Sequence, residues 1–465
     1  MHTRAIVDPD AAVKLTGKRG RNTFGLMFAS DNAPGNFSEE ERTDPETLPG
    51  IQKFLDKNAY IGVLRLKRDI GKESSLGLLA TSYNFIERHN QLGGIDGRFK
   101  INPQTVFEFQ VLGTTSRALF RDPEADRDIY RTGNALAYSF DYIFEKKNFG
   151  YEIFGEGRTR DYRADVGFTR RTNTNRETVF VRFSTNPKPN KTLIQFNLGN
   201  FTNAVFDWQG RAQGWEDGTN FNFKFKHQTF VRLGTNVEYE RLFEEEFGAK
   251  RTPTRAGAFY GNDAERSTVI KTIFVVTQTT FNKQLSGEFF VGTRRGLFDL
   301  DFGGGRKYPR VSPAALRSPT WPDTEGVPLD PGPGNSFDAD VQLSYQPTAA
   351  LHTSFGYTKA RLTRIDTGRL SFDDNIFSVR STYQFTKFAF ARGRVDYDTL
   401  ASSMRGQFLF GWTPSPGTAL YVGYNDDLNR NGYNPFTGHL EPGFRRNGRT
   451  FFIKTSYLIR RSFGK

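Results

Sequence analysis

The charged residues of this chain recur at intervals of two, and that spacing is where chemistry could reside. Lys224 and Lys226, Glu238 and Glu240, Asp338 and Asp340, and Arg392, Arg394 and Asp396 alternate with apolar or small residues. Arg232, Arg380 and Arg405 hold the same place in alternating stretches of their own. Side chains two apart on a strand share a face, so each group makes one charged strand face. Such faces can select a solute by charge, as rings of charged side chains do in pores. Two arrangements are open. Neighbouring strands could pair opposite charges and neutralise the surface. Alternatively, like charges could fall level with one another, the arginines then favouring anionic or hydroxyl-rich solutes. Aromatic residues on the same faces, such as Phe390 and Tyr421, could stack on sugar rings. Periodicity does not fix which arginines share a level.

Other chemistries find little support. There is no Gly-x-Ser-x-Gly elbow, no His-Glu-x-x-His and no phosphate-binding Gly-Lys-Ser/Thr loop. The five His (His2, His89, His227, His352, His439) are dispersed, and the absence of Cys excludes disulfides and thiolate sites. No cofactor and no catalytic residue is expected. Asp427, Asn429 and Asn431 begin like a calcium loop, but its twelfth position is Gly438 where a bidentate acid belongs. A solvated Asn-rich loop is the simpler reading.

The elements that carry the charged faces are strands. Residues 217–241 read as a hairpin. Phe221, Phe223 and Phe225 oppose Asn222, Lys224 and Lys226, and then Val231, Leu233, Val237 and Tyr239 oppose Arg232, Asn236, Glu238 and Glu240. Only His227, Gln228 and Thr229 lie between the two halves. The pattern repeats through the 465 residues and predicts about 21 strands, most of them ten residues or longer. The connections alternate between short turns and mostly longer loops, the longest at 296–333. Segregation of loop length by parity is the habit of outer-membrane barrels, with short periplasmic turns and long extracellular loops. The expected fold is therefore an all-β, antiparallel transmembrane β-barrel occupying 1–465 as a single domain. It would have 21 strands here and 22 when complete, within a range of 16–24.

The bulk numbers agree with this reading. No run of eighteen apolar residues exists, so no transmembrane helix is expected. Barrel strands need apolar residues only at alternate positions, which suits 36% apolar residues, 46 Phe and 46 Gly. The net charge of +13 is spread along strands and loops, and no nucleic-acid-binding motif accompanies it. Counting strand direction back from the last strand makes the first a descending one. Since bacterial single-chain barrels have even strand counts, an ascending first strand and a signal peptide are expected upstream of Met1. The 296–333 loop could fold inward as a constriction or cover the mouth.

Several short stretches, in order, resemble a little-characterised family of bacterial outer-membrane barrels whose full-length members carry an N-terminal family-nine-type carbohydrate-binding domain. They are Val13-Lys14-Leu15-Thr16-Gly17, Leu64-Arg65-Leu66 with Asp69-Ile70 and Leu76-Gly77, Asn90 with Gly94-Ile95-Asp96-Gly97, and Ala164-Asp165-Val166-Gly167-Phe168-Thr169-Arg170-Arg171. With the strand layout, the resemblance spans most of the chain. It implies the barrel and a link to glycan handling. The carbohydrate-binding domain has no counterpart here, so sugar binding through it does not carry over. The expected role is passage of solutes across the bacterial outer membrane, with glycan-related solutes as the class that the resemblance suggests. The expected partners are outer-membrane lipid, glycan or oligosaccharide solutes, and the barrel-assembly machinery through the last strand. A non-conducting anchor for a glycan-binding domain is the alternative, and a membrane-embedded hydrolase is a third.

Overall fold

The structure, a computed structural model, describes residues 5–169, 171–305, 307–415, 417–430 and 443–458. Among them 21 strands form, all in one sheet, and they correspond one for one to the alternating stretches of the sequence. Two compact units divide the chain.

The first unit holds β1 (Pro9–Arg19), β2 (Asn22–Asp31), β3 (Ala59–Ile70), β4 (Ser74–Phe85), β5 (Arg88–Asn102), β6 (Thr105–Asp122), β7 (Arg127–Glu145), β8 (Phe149–Arg158) and β9 (Thr174–Ser184). Each pairs antiparallel with the next. Three further strands, β10 (Leu193–Phe206), β11 (Ala212–Phe225) and β12 (Thr229–Phe243), lie partly in this unit, which takes in residues 199–217 and 238–258, and partly in the second. The second unit continues with β13 (Glu265–Thr280), β14 (Leu285–Asp299), β15 (Gly332–Tyr345), β16 (Leu351–Arg364), β17 (Leu370–Thr386), β18 (Ala389–Asp398), β19 (Ser403–Ser415), β20 (Thr418–Arg430) and β21 (Phe444–Ser456). These also pair antiparallel in order.

Register aligns the apolar positions of successive strands. In the first unit Phe24, Leu66, Leu78, Ile95 and Val111 stand directly opposite one another in turn, each 37–52% exposed. In the second, Phe289, Val341, Tyr357, Phe377 and Tyr397 do the same. Large apolar side chains left uncovered along a whole row are what a hydrocarbon solvent calls for. Aromatics beside the short turns, including Phe149, Phe183, Phe281, Tyr345, Tyr383 and Trp412, are 43–55% exposed, as in the interfacial girdles of membrane barrels. The opposite face, inward in this fold, carries the charged residues.

The turns follow from local chemistry. Between β11 and β12, His227 and Gln228 have φ of 58° and 53°, and Thr229 N–H donates to Lys226 O at 3.3 Å. Two left-handed central residues make the turn whose twist matches a hairpin. Lys226 therefore lies in the turn rather than on the strand face expected from alternation.

Strand ends on the long-loop side depart most from expectation. The connection between β4 and β5 is only residues 86–87, and that between β6 and β7 only 123–126, where the Asp122 carboxylate accepts the N–H groups of Glu124 and Ala125. The connection between β16 and β17 is 365–369, and β10 ends at Phe206, where Asp207 closes a turn by accepting from Gln209 and Arg211. In the β5 and β6 extensions the buried face mixes polar Asn90 and Ser116 with Leu92, Ala118 and Phe120, so the sequence there shows no clean alternation.

Candidate functional site: the inward face

In the first unit the inward face is not uniformly polar. Ala29, Ala59, Ile61, Val63 and Tyr83 form a buried apolar cluster on β2–β4, and Val166 of the 159–173 loop packs into it at 2% exposure. Tyr162 of the same loop packs with Leu92 and Ala137. The loop is fastened by the fully buried Asn90, whose amide donates to Ser116 Oγ at 2.8 Å and Arg163 O at 3.0 Å, and accepts from Asp165 N–H at 3.0 Å. Arg88 adds an ion pair to Asp165 at 2.9 Å. Segment 159–169 thus lies on the inward face, where part of the wall along β2–β7 is apolar. The apolar residues within an otherwise polar connection (Val166 and Tyr162) were the available signal.

The separate sequence motifs meet in space. Arg65 Nη2 donates to Asp96 Oδ2 at 2.7 Å, and Lys18 bonds Asp69 at 2.8 Å. Gly77 makes room for the first pair, since a Cβ there would lie 2.6 Å from both Arg65 Nη1 and Asp96 Oδ1. Further along the inward face, Arg98 pairs with Glu108.

At the long-loop ends of β8–β12 lies a cavity of about 500 Å³. Glu238 and Glu240 line it with Glu156, Arg176 and Glu216. Glu156 stands opposite Arg176 and pairs with Arg158 at 2.8 Å. Asn203 donates to Glu216 at 2.8 Å. Phe168 and Arg171 reach the cavity from the inward-folded loop, Arg171 also pairing with Glu246 at 2.7 Å.

In the second unit, Lys224 is exposed on β11, and Arg232 Nε donates to Asn222 Oδ1 at 2.8 Å. Acidic residues gather on β15. Asp338 pairs with Arg294 at 3.2 Å, and Asp340 accepts from Thr358 at 2.6 Å. Basic residues gather on β17–β19. Arg380 stands directly opposite Arg394. Asp396 is opposite Arg405, and Arg405 is opposite Asp427. Arg394 pairs with Asp396 at 2.7 Å, and Arg405 approaches Asp427 at 3.7 Å. Arg392 lies over the Phe390 ring at 5.7 Å, and Phe390 is level with Gly411, Tyr421 and Lys454. Register thus assigns the levels that periodicity left open.

Asp427 and Asn429 sit on β20 rather than in a loop, and Asn431 lies outside the described residues. Among the described residues no group of three or more His, Cys, Asp or Glu is placed to hold a metal ion.

The long connection 300–331 is built on buried ion pairs. The Arg364 side chain is fully buried and bonds Asp366 at 2.6 Å, Asp299 at 3.4 Å and Asp330 O at 3.0 Å. Arg310 bonds Asp301 at 2.7 Å and the carbonyls of Val327 and Pro328. Burial alone would raise the Asp366 carboxyl, but the Arg364 guanidinium and nearby backbone N–H groups hold it below its usual range. Residues of 300–311 share a cavity of about 190 Å³ with Leu362 and Phe372, and Tyr308 donates to Asp373 O at 2.7 Å. None of these anchoring residues was evident from spacing.

No family model and no curated protein matches the sequence. Solved structures do match in fold. The chain is similar to the copper transporter OprC with a TM-score of 0.54 and 11% identity, over 98% of this chain and 81% of that one. Weaker likenesses are the ferric-catecholate import receptor Fiu of E. coli K12 in its closed form (TM-score 0.45, 11% identity, 96% and 79% covered) and the siderophore receptor PirA of Pseudomonas aeruginosa (TM-score 0.40, 10% identity, 86% and 77% covered). The fold comparison rests on the first. With its antiparallel sheet, its outward apolar rows and its aromatic girdle, this chain is a β-barrel of the bacterial outer membrane.

Proposed function

We propose that the chain is a passage for solutes across the outer membrane, with anionic or hydroxyl-rich, glycan-related cargo. The observation that carries this is the guanidinium set on β17–β19, in which arginines outnumber their carboxylate partners. Several inward charges elsewhere pair one to one, as in Arg65–Asp96, Arg98–Glu108 and Arg294–Asp338. Among the described residues, the four arginines of β17–β19, Arg380, Arg392, Arg394 and Arg405, meet two carboxylates in ion pairs, Asp396 and Asp427. Like charges directly opposite on neighbouring strands are destabilising, so their retention is better explained by a ligand than by folding. Phe390 and Tyr421 beside them offer faces for ring stacking.

The transporter reading also draws on the fold neighbour OprC. Its copper does not transfer readily, because soft-metal sites use Cys and Met, and this sequence has no Cys and three Met. The resemblance to barrels with carbohydrate-binding domains supports glycan-related cargo, and β21 is the strand offered to the assembly machinery.

One observation favours a second reading, a non-conducting anchor for a glycan-binding domain. Segment 159–169 packs on the inward face and occupies space that solutes would use. Reconstitution in planar bilayers separates the two, since a passage gives discrete conductance steps and an anchor gives none.

A further inference from the structure

We infer that the 500 Å³ cavity of the first unit is a binding subsite for a neutral, hydroxyl-rich ring, such as one sugar unit of an oligosaccharide. The inference rests on the passage reading and deepens it by naming a place where the solute is held.

Gln213 is the first argument. It lines the cavity at 2% exposure, and its amide nitrogen donates to Asn173 O at 3.2 Å and Glu246 Oε1 at 3.4 Å. Its amide oxygen is buried and has no hydrogen-bond donor. Buried polar atoms are nearly always paired, so this oxygen is poised to accept from a ligand O–H. The second argument is the mixture around it. Glu216 and Glu238 offer acceptors, and Arg176 offers donors. A sugar hydroxyl donates and accepts at once, whereas an amine only donates and a carboxylate only accepts. Four carboxylates and three guanidiniums line the cavity, which leaves it nearly balanced and favours neither a polyanion nor a polycation. The third argument is apolar. Trp215 is 45% and Phe168 81% exposed, and both border the cavity. Apolar surface of this kind suits the C–H side of a pyranose, and Phe168 comes from the inward-folded loop.

The test is isothermal titration of the full chain in detergent with maltose, cellobiose and xylobiose, and with spermidine and citrate in parallel. Saturable binding of at least one disaccharide is expected. It should weaken about tenfold in Trp215→Ala and in Gln213→Leu, persist in Gln213→Glu, which keeps an acceptor, and be unchanged in Lys283→Ser, an exposed residue of the turn between β13 and β14. Heat-modifiable gel migration confirms that each variant is folded. If Gln213→Leu does not fold, Trp215→Ala alone decides. No disaccharide binding by a protein that conducts in bilayers would overturn the subsite and leave the passage standing. Spermidine binding that depends on Trp215 would overturn the sugar assignment. Disaccharide binding by a protein that never conducts would uphold the subsite and sink the passage.

Discussion

Arg380 and Arg394 face each other directly across β17 and β18, two guanidiniums on one inward level. Arg394 leans on Asp396 at 2.7 Å, two residues along its own strand. Cross-strand like-charge pairs cost about 0.2–1 kcal/mol relative to neutral ones. Arg380→Ser should therefore raise thermal stability slightly or leave it unchanged, while reducing anion preference in bilayers. A clear loss of stability would show that the pair is structural.

The outward row sets a depth-dependent cost. Val111 lies near the middle of the band, level with Ile95, whereas Phe223 lies two residues from the end of β11 with its ring 5.2 Å from Phe196. Val111→Arg should cost about 2–4 kcal/mol and Phe223→Arg about 0–1 kcal/mol, the midplane and interface values for lipid-facing cations. Lys224→Ala should fold normally and shift ion selectivity. Unfolding in urea with lipid vesicles reads all three, and equal tolerance of Val111→Arg and Phe223→Arg would speak against the lipid face.

Gly77 is required by its neighbours rather than by its backbone. Adding a methyl would displace the Arg65–Asp96 pair. Gly77→Ala should destabilise by about 1–3 kcal/mol, as overpacking does, and the double variant with Asp96→Ala should recover part of that loss. A Gly77→Ala protein as stable as wild type would remove this role.

Asn90, at zero exposure, holds the inward loop by two hydrogen bonds and is itself braced by a third to Ser116 of β6. Asn90→Ala should loosen 159–173, seen as faster proteolysis there, and should raise single-channel conductance. Conductance unchanged after the loop is demonstrably cleaved would mean that it does not narrow the passage.

The 300–331 connection should respond to acid. The Asp366 carboxyl is more acidic in the folded than in the unfolded chain. Its contribution is therefore complete above the unfolded value of about 4 and fades as pH falls through the folded value. Protease cleavage within 300–331 should rise on acidification and not on moving to alkaline pH. Arg364→Ala should expose the loop at every pH, because removing one partner leaves Asp299 and Asp366 without their cation, a loss of about 3–5 kcal/mol for a buried pair.

Much of the fold was legible because lipid on one face and polar groups on the other force period-two alternation, as in Leu136–Phe144. The strand extensions at residues 88–93 and 115–122 were not, because the buried face there mixes polar Asn90 and Ser116 with Leu92, Ala118 and Phe120. Of the site, the charged faces were legible, but the encounter of Arg380 with Arg394 depends on register, which single-strand periodicity does not contain. Gln213 and Arg364 escaped notice because their importance lies in burial by distant segments. The inward position of the 159–173 loop follows from long-range contacts to Asn90 and the β2–β4 cluster.

The most direct measurement is the reversal potential of the reconstituted protein across a KCl gradient, wild type against Arg380→Ser/Arg394→Ser. Discrete conductance with chloride preferred over potassium, and that preference reduced in the double variant, is the predicted result. A folded protein without discrete conductance, or a selectivity indifferent to both arginines, would contradict the account.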